Sequence, residues 1–208
     1  MKLYHLDRAG TLDVSKDIEL MKPPYGANWE TLQNSHFLDS FPAGLSKHGL
    51  HYLEFVQRQV SPQNINMFLK IQTNFISDIL SEESNKILEY EYELVRQLHF
   101  PNCPSRFTSL FTVKSPSEFE NWEQFKNIEN PKIVEITVSE DLPRFDANLL
   151  HGGITFGLNP NEIFFRAWTV HCFDYAMKYW SGVASDAPRW EYLVPLPLSA
   201  KHIKALDI

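Results

Sequence analysis

No apolar run in this sequence approaches the length of a membrane span, and its first residues lack the basic segment and apolar core of a secretory signal. The expectation is a cytoplasmic protein with no membrane partner. There are only two cysteines, Cys103 and Cys172, far apart and in no CxxC or Cys/His cluster. That pattern indicates neither a disulfide framework nor a zinc site, and two reduced, mostly buried thiols are expected. No long polar or single-sign run interrupts the chain, and no internal repeat or linker divides it. The common catalytic signatures are also missing. Without GxGxxG after a strand, GxxxxGK[ST], GxSxG, HExxH or an EF-hand loop, the Rossmann, P-loop, α/β-hydrolase and zinc-protease readings fall away.

What is present points to a packed globular chain. Hydrophobic residues make up 43% of the 208, and 15 Phe, 8 Tyr and 5 Trp bring aromatics to 13%, enough for a sizeable core and far from a disordered composition. One domain over residues 1–208 is expected. The net charge of −7 offers no broad positive field to a nucleic-acid backbone. A nuclease reading is further weakened by the lack of a carboxylate cluster with metal-ligand spacing.

Periodicity gives an α+β chain. "KLYHL", "DRAGTLDV" and "DIEL" read as strand, turn and strand, and the Pro- and Gly-rich segment 21–44 as a long surface loop. A helical insertion is expected over about 45–99. Leu45, Leu50, Leu53 and Val56 share one face, Ser61-Pro62 opens a further helix continued by Ile65, Phe68, Leu69 and Gln72, and Ile87, Tyr90 or Glu91, Leu94 and Leu98 form the last stripe. "RFTSLFTV" reads as a strand with Phe107, Ser109, Phe111 and Val113 on one side. Ser115, Pro116 and Glu118 read as a capping box opening a helix, and 132–138 as a strand. "NPNEIFFRAWTVHCFDYAMKYWSG" reads as one helix from Pro160, with Ile163, Ala167, Val170 or His171, Asp174 and Met177 or Lys178 in line and Gly182 as its stop. "RWEYLVPLPL" at 189–198 reads as the last strand. "HGGITFGL" at 151–158 suits a hairpin or a close strand approach.

Few residues suggest chemistry by spacing alone. His48, His51 and Glu54 stand at i, i+3, i+6, which is not the usual i, i+4 zinc pair, and no third ligand is identifiable, so no metal is expected. His5 and Arg8 in and beside the first strand, Ser109 in a middle strand and Glu191 near the start of the last are more suggestive as an ordered set.

"YHLDRAGTL", "FPAGLSKHGLHYLE", "FPNCPSRFTSLF" and "YWSGVASDAPRWEYL" resemble, in that order, blocks of a bacterial domain family of unassigned function that is similar in arrangement to the ADP-ribosyltransferase superfamily. The resemblance implies a split mixed or antiparallel sheet that clamps NAD as cofactor. It assigns His5 to the first-strand position, Ser109 to the middle-strand position and Glu191 to the catalytic carboxylate. Glu191 would hold a ribose hydroxyl and stabilise the oxocarbenium-like centre as nicotinamide leaves. Phe107 or Phe111 would stack on the nicotinamide ring, and Arg8 and Arg106 would pair with the pyrophosphate. Arg189 and Trp190 stand where many protein-modifying members carry ExE or QxE, and "TSL" replaces the usual Ser-Thr-Ser, so the ADP-ribose acceptor, protein or nucleic acid or water, stays open. The alternative is a non-catalytic binding protein, such as a regulator in a toxin or phage-defence system.

Overall fold

The computed structural model describes residues 1–26, 29–54, 73–122, 131–159 and 162–206, with the backbone alone for 73–83, 121, 153–159 and 162–169. In chain order the elements are β1 (Lys2–Asp7), α1 (Glu30–Gln33), α2 (Lys47–Leu53), α3 (Thr73–His99), β2 (Ser109–Thr112), β3 (Lys132–Thr137), β4 (Arg144–Asp146), β5 (Gly153–Asn159), β6 (Glu162–Trp168), α4 (Thr169–Trp180), β7 (Trp190–Pro195) and β8 (Ile203–Leu206). The architecture is α+β, and every pairing among these strands is antiparallel.

Two three-stranded sheets carry the domain, in the orders β1-β3-β8 and β2-β7-β4, beside the β5-β6 hairpin. The two sheets meet at one isolated bridge, where Tyr4 and Val113 exchange both backbone hydrogen bonds at 2.9 Å. Alternate residues of an antiparallel strand turn their N–H and C=O groups to the same side, so the Phe111 carbonyl also faces β1. No backbone partner in β1 takes it. The His5 ring does, with Nδ1 2.8 Å from the Phe111 oxygen. The sheets therefore part immediately beyond the bridge, with His5 spanning the opening.

Helices α3 and α4 pack together over the second sheet. Leu88, Tyr92 and Val95 of α3, and Cys172, Ala176 and Tyr179 of α4, follow i, i+4, i+7 spacing and meet Phe145 and Leu193 in one cluster. A second cluster under the first sheet joins Leu3, Val134, Ile136 and Ile203 to Leu110 and Val194. Cys103 and Cys172 are free thiols, the second buried. Among the described residues no helix is long and apolar enough to cross a membrane.

Several expectations are corrected. Residues 162–168 form strand β6 and the helix starts only at Thr169. The run Ile163-Phe164-Phe165 is β-branched and aromatic, so it satisfies its backbone in the ladder with β5, and the Asn-Pro signal precedes a strand. Ser115 makes no side-chain cap, and its segment is a 3-10 turn over Pro116–Asn121; the Ser115 hydroxyl lies 2.9 Å from that of Ser117. Residues 8–20 form no strand beyond one antiparallel bridge, in which Ile18 and Leu198 exchange backbone hydrogen bonds at 2.8 and 2.9 Å. The Asp7 and Asp13 carboxylates accept backbone N–H bonds from Leu12 and Ser15, a local alternative to a ladder. The exposed side of α3 carries Ile87, Tyr90 and Leu98, at 41, 39 and 75% exposure, and Val170 of α4 is 73% exposed. On α3 the buried stripe includes Glu89 and Glu93 in place of those residues, for the reason given below. Val56, Ser61-Pro62, Ile65, Phe68, Leu69 and Gln72 lie outside the described residues.

Candidate functional site

A cavity of about 450 Å³ opens where the two sheets part. His5 and Arg8 come to it from β1 and its end, His48 and Tyr52 from α2, Lys86 and Glu89 from α3, Arg106 and Phe111 from the approach to β2 and β2 itself, and Arg189 and Glu191 from the start of β7. Placement of α2 is set by backbone contact. The Ser46 hydroxyl caps the helix by accepting the Gly49 N–H at 3.0 Å, and the Ser46 N–H donates to the Phe107 carbonyl at 2.7 Å. A Cβ on Gly49 would come within 2.3 Å of that same carbonyl oxygen, so only glycine lets the helix approach this closely.

Arg106 lies at the centre, 4% exposed. Its Nε and Nη2 donate to both oxygens of Glu89, at 2.6 and 2.7 Å. Nη1 donates to the Tyr179 hydroxyl at 2.7 Å and to Glu191 Oε1, while the Tyr179 hydroxyl donates to the same Oε1 at 2.6 Å. Burial opposes the charge on Arg106, yet Glu191 and Glu89 outweigh it and hold the guanidinium well above its ordinary range. This fork explains why Glu89 turns inward on α3. Glu93, one turn on, is buried for a like reason, holding Arg96 at 2.7 Å and accepting the Ser105 hydroxyl at 2.8 Å.

The two acids differ in what they leave over. Both oxygens of Glu89 are engaged by Arg106, whereas every hydrogen bond to Glu191 falls on Oε1. Among the described residues Oε2 has no hydrogen-bond partner and is not sealed from the cavity. The His5 bond fixes a tautomer in the same way. A carbonyl only accepts, so Nδ1 carries the proton and Nε2 keeps a lone pair. Burial lowers the His5 pKa, with the Phe111 carbonyl and Asp7 opposing and Arg8 assisting. His48 is lowered to about 3, chiefly by burial and then by the charges of His5, Arg8, His51 and Arg106. Both rings are neutral near pH 7.

Electrostatically the cavity differs from the whole chain. Arg8, Lys86, Arg106 and Arg189 line it against Glu89 and Glu191, a positive balance in a chain of net charge −7. Its walls are aromatic, with Tyr52, Phe111, Phe119 and Trp122. The Phe111 ring carries the Arg106 guanidinium at 4.5 Å and the His48 ring at 5.2 Å, and Arg189 lies 4.9 Å over Trp122. Among the described residues no group of three His, Cys, Asp or Glu side chains converges in a metal-holding arrangement.

Of the residues singled out in the sequence, His5, Arg8, Arg106, Phe111 and Glu191 line this one cavity, and Ser109 and Phe107 do not. Phe107 belongs to a 3-10 turn before β2 and packs with Phe41, Leu45 and Leu50. Ser109 is fully buried, and its hydroxyl has no hydrogen-bond partner among the described residues. Four of the five N–H groups of Arg106 go to Glu89, Glu191 and Tyr179, so a pyrophosphate would find a single Nη2 hydrogen there and no two-pronged edge. Glu89 and Tyr179 escaped the sequence reading. The available signal was a glutamate interleaved in an apolar stripe of α3, together with a basic residue in a segment otherwise reading as core.

Residues 3–204 match the family described as Protein of unknown function (DUF2441). No curated protein matches the chain.

Proposed function

The chain belongs to the DUF2441 family, and for this member we propose an ADP-ribosyltransferase-like activity: the cavity binds NAD, and Glu191 assists cleavage of its nicotinamide–ribose bond. The family description names no activity, so the proposal rests on the site. The observation that carries it is the convergence of His5 from the first strand and Glu191 from β7 on one positively balanced, aromatic-walled cavity, with Glu191 Oε2 and His5 Nε2 making no hydrogen bond among the described residues. The parting of two antiparallel sheets beyond the Tyr4–Val113 bridge supports the split-sheet arrangement that this reading expects.

In the proposed reaction the ribose lies between His5 Nε2 and Glu191 Oε2, each accepting a hydroxyl proton in a hydrogen bond. The C1′–N bond breaks with its electron pair passing to the pyridinium nitrogen, which leaves as neutral nicotinamide. Glu191, ionised beside Arg106, stabilises the positive charge that develops at C1′. An acceptor nucleophile, water or a protein or nucleic-acid group, then bonds C1′ and loses its proton. Arg8 and Arg189 take the pyrophosphate role in place of Arg106, and Tyr52 and Trp122 join Phe111 as the aromatic wall for the nicotinamide. Ser109 has no contact with the ligand in this arrangement.

The test is NAD binding and nicotinamide release by the purified protein beside Glu191→Gln, which keeps the size and a hydrogen-bonding head but loses the charge. Wild type should bind and release, while the variant binds and releases about 100-fold more slowly, the size of effect expected when a group aimed at transition-state charge is removed. If neither protein binds NAD, the reading falls and the non-catalytic binding protein takes its place.

A further inference from the structure

We propose that Tyr179 is a positioning residue for Glu191, acting with Arg106 and Glu89 to tie one carboxylate oxygen and leave the other turned to the cavity. The inference rests on the reading of Glu191 as the working carboxylate.

It follows from counting donors and acceptors in the buried cluster. Arg106 has five N–H groups. Glu89 takes the Nε and one Nη2 hydrogen in a two-pronged pair, so both its oxygens are spent on the guanidinium and it serves as a counter-ion. The two hydrogens on Nη1 go to Tyr179 Oη and Glu191 Oε1, and the Tyr179 hydroxyl hydrogen goes to the same Oε1. Oε1 therefore receives two donors, about what one carboxylate oxygen accepts, and Oε2 receives none among the described residues. A carboxylate bonded by one oxygen through a single donor would still swing. Two converging donors, one from a guanidinium and one from a phenol, remove that freedom.

The phenol is itself immobile. Its ring is fully buried, stacked on Phe145 at 5.0 Å and edge-on to Tyr92 at 5.7 Å and Trp180 at 4.7 Å. Burial, ahead of the neighbouring charges, holds its hydroxyl pKa well above the ordinary range, so the O–H proton stays available as a donor. The two helices thus have distinct tasks: α3 supplies Glu89 as the charge balance for Arg106, and α4 supplies the Tyr179 donor that orients Glu191.

Tyr179→Phe removes the hydroxyl and keeps the ring among its three aromatic neighbours. In an active enzyme the expected result is an NAD dissociation constant within about twofold of wild type and a turnover number for nicotinamide release at least tenfold lower, the loss expected for one hydrogen bond to a charged group. Tyr179→Phe should add nothing further in a Glu191→Gln background, because the hydroxyl acts only through Glu191. Crystal structures of wild type and Tyr179→Phe give a readout independent of activity, in which the Glu191 carboxylate is expected to rotate in the variant. An unchanged turnover number with wild-type stability, or a Glu191 carboxylate in the same place in both crystals, overturns the positioning role. A wild-type protein that binds no NAD overturns the parent reading, and the crystallographic comparison still decides this one.

Discussion

Replacing Arg106 with methionine removes the guanidinium that pairs with two buried carboxylates, Glu89 and Glu191. Met is similar in length, so the cavity left behind is small and the main cost is electrostatic. The guanidinium makes four polar contacts, two to Glu89, one to Tyr179 and one to Glu191, with Arg106, Glu89 and Glu191 at 4, 5 and 3% exposure. Taken singly, hydrogen bonds to charged groups contribute about 1.5–3 kcal/mol each, but the desolvation of Arg106 itself offsets much of that. Breaking a buried pair by deleting one partner typically costs about 3–5 kcal/mol, and two stranded carboxylates place this site toward the upper figure. For a domain of this size that corresponds to a fall in melting temperature of roughly 6–20 °C. Urea unfolding at pH 7 measures it directly. The triple variant Arg106→Met, Glu89→Leu, Glu191→Leu should recover most of the loss, since an all-apolar replacement of a buried ion cluster is often neutral or stabilising. A loss below about 1 kcal/mol for Arg106→Met alone would refute the reasoning, because it would mean that the carboxylates are hydrated in solution.

Acid should weaken the fold before the carboxylates titrate. His48 falls to about 3 in the folded protein from an ordinary value of 6.5, so the unfolded chain binds more protons between those values; stability is fully present above about pH 6.5 and is lost as pH falls toward 3. Between pH 6.5 and 5 this one ring accounts for at most about 2 kcal/mol, with His5 adding in the same direction, and His48→Gln should flatten the slope in that window when melting temperature is followed against pH. Gly49→Ala should cost on the order of 2 kcal/mol by thermal or urea unfolding and also weaken any ligand that touches His48 or Tyr52, since the new Cβ would lie 2.3 Å from a backbone oxygen and must push α2 away from the turn before β2. A neutral Gly49→Ala would show that the contact relaxes freely.

The parts of the fold legible in the sequence were those whose pattern is local. β1, β3 and β7 alternate or run apolar, and each appears where expected. Residues 162–168 misled because a helix-start pattern at Asn159, Pro160 and Glu162 does not by itself exclude a following strand, and only pairing with β5 decides which applies. β4 is three residues long and exists through its partners. It lies against Tyr192, Glu191 and Trp190 of β7, and the Asp146 side chain accepts the backbone N–H groups of Asn148, Ser185 and Arg189. No periodicity over three residues announces such a strand.

The candidate site was legible in its residue types and not in their roles. His5, Arg8, Phe111 and Glu191 reach one cavity, so the ordered set contained real spatial information. The pyrophosphate role for Arg106 comes from the family resemblance, and the residues around it in sequence do not show what its guanidinium meets. Its partner Glu89 lies on a different element and is recognisable only once α3 is laid over β2. The same gap reversed the helix face. A stripe that scores hydrophobicity alone rejects Glu89 and Glu93 from the buried side and moves it onto Ile87 and Tyr90, which face solvent. Buried charge pairs are thus the point at which pattern reading and folding diverge, since a carboxylate that is costly alone becomes tolerable through a residue on another element. Here that divergence falls on the network around Glu191. Arg106 and Tyr179 both donate to one of its oxygens, and among the described residues the other accepts no hydrogen bond, an asymmetry that the sequence order of His5, Ser109 and Glu191 does not contain.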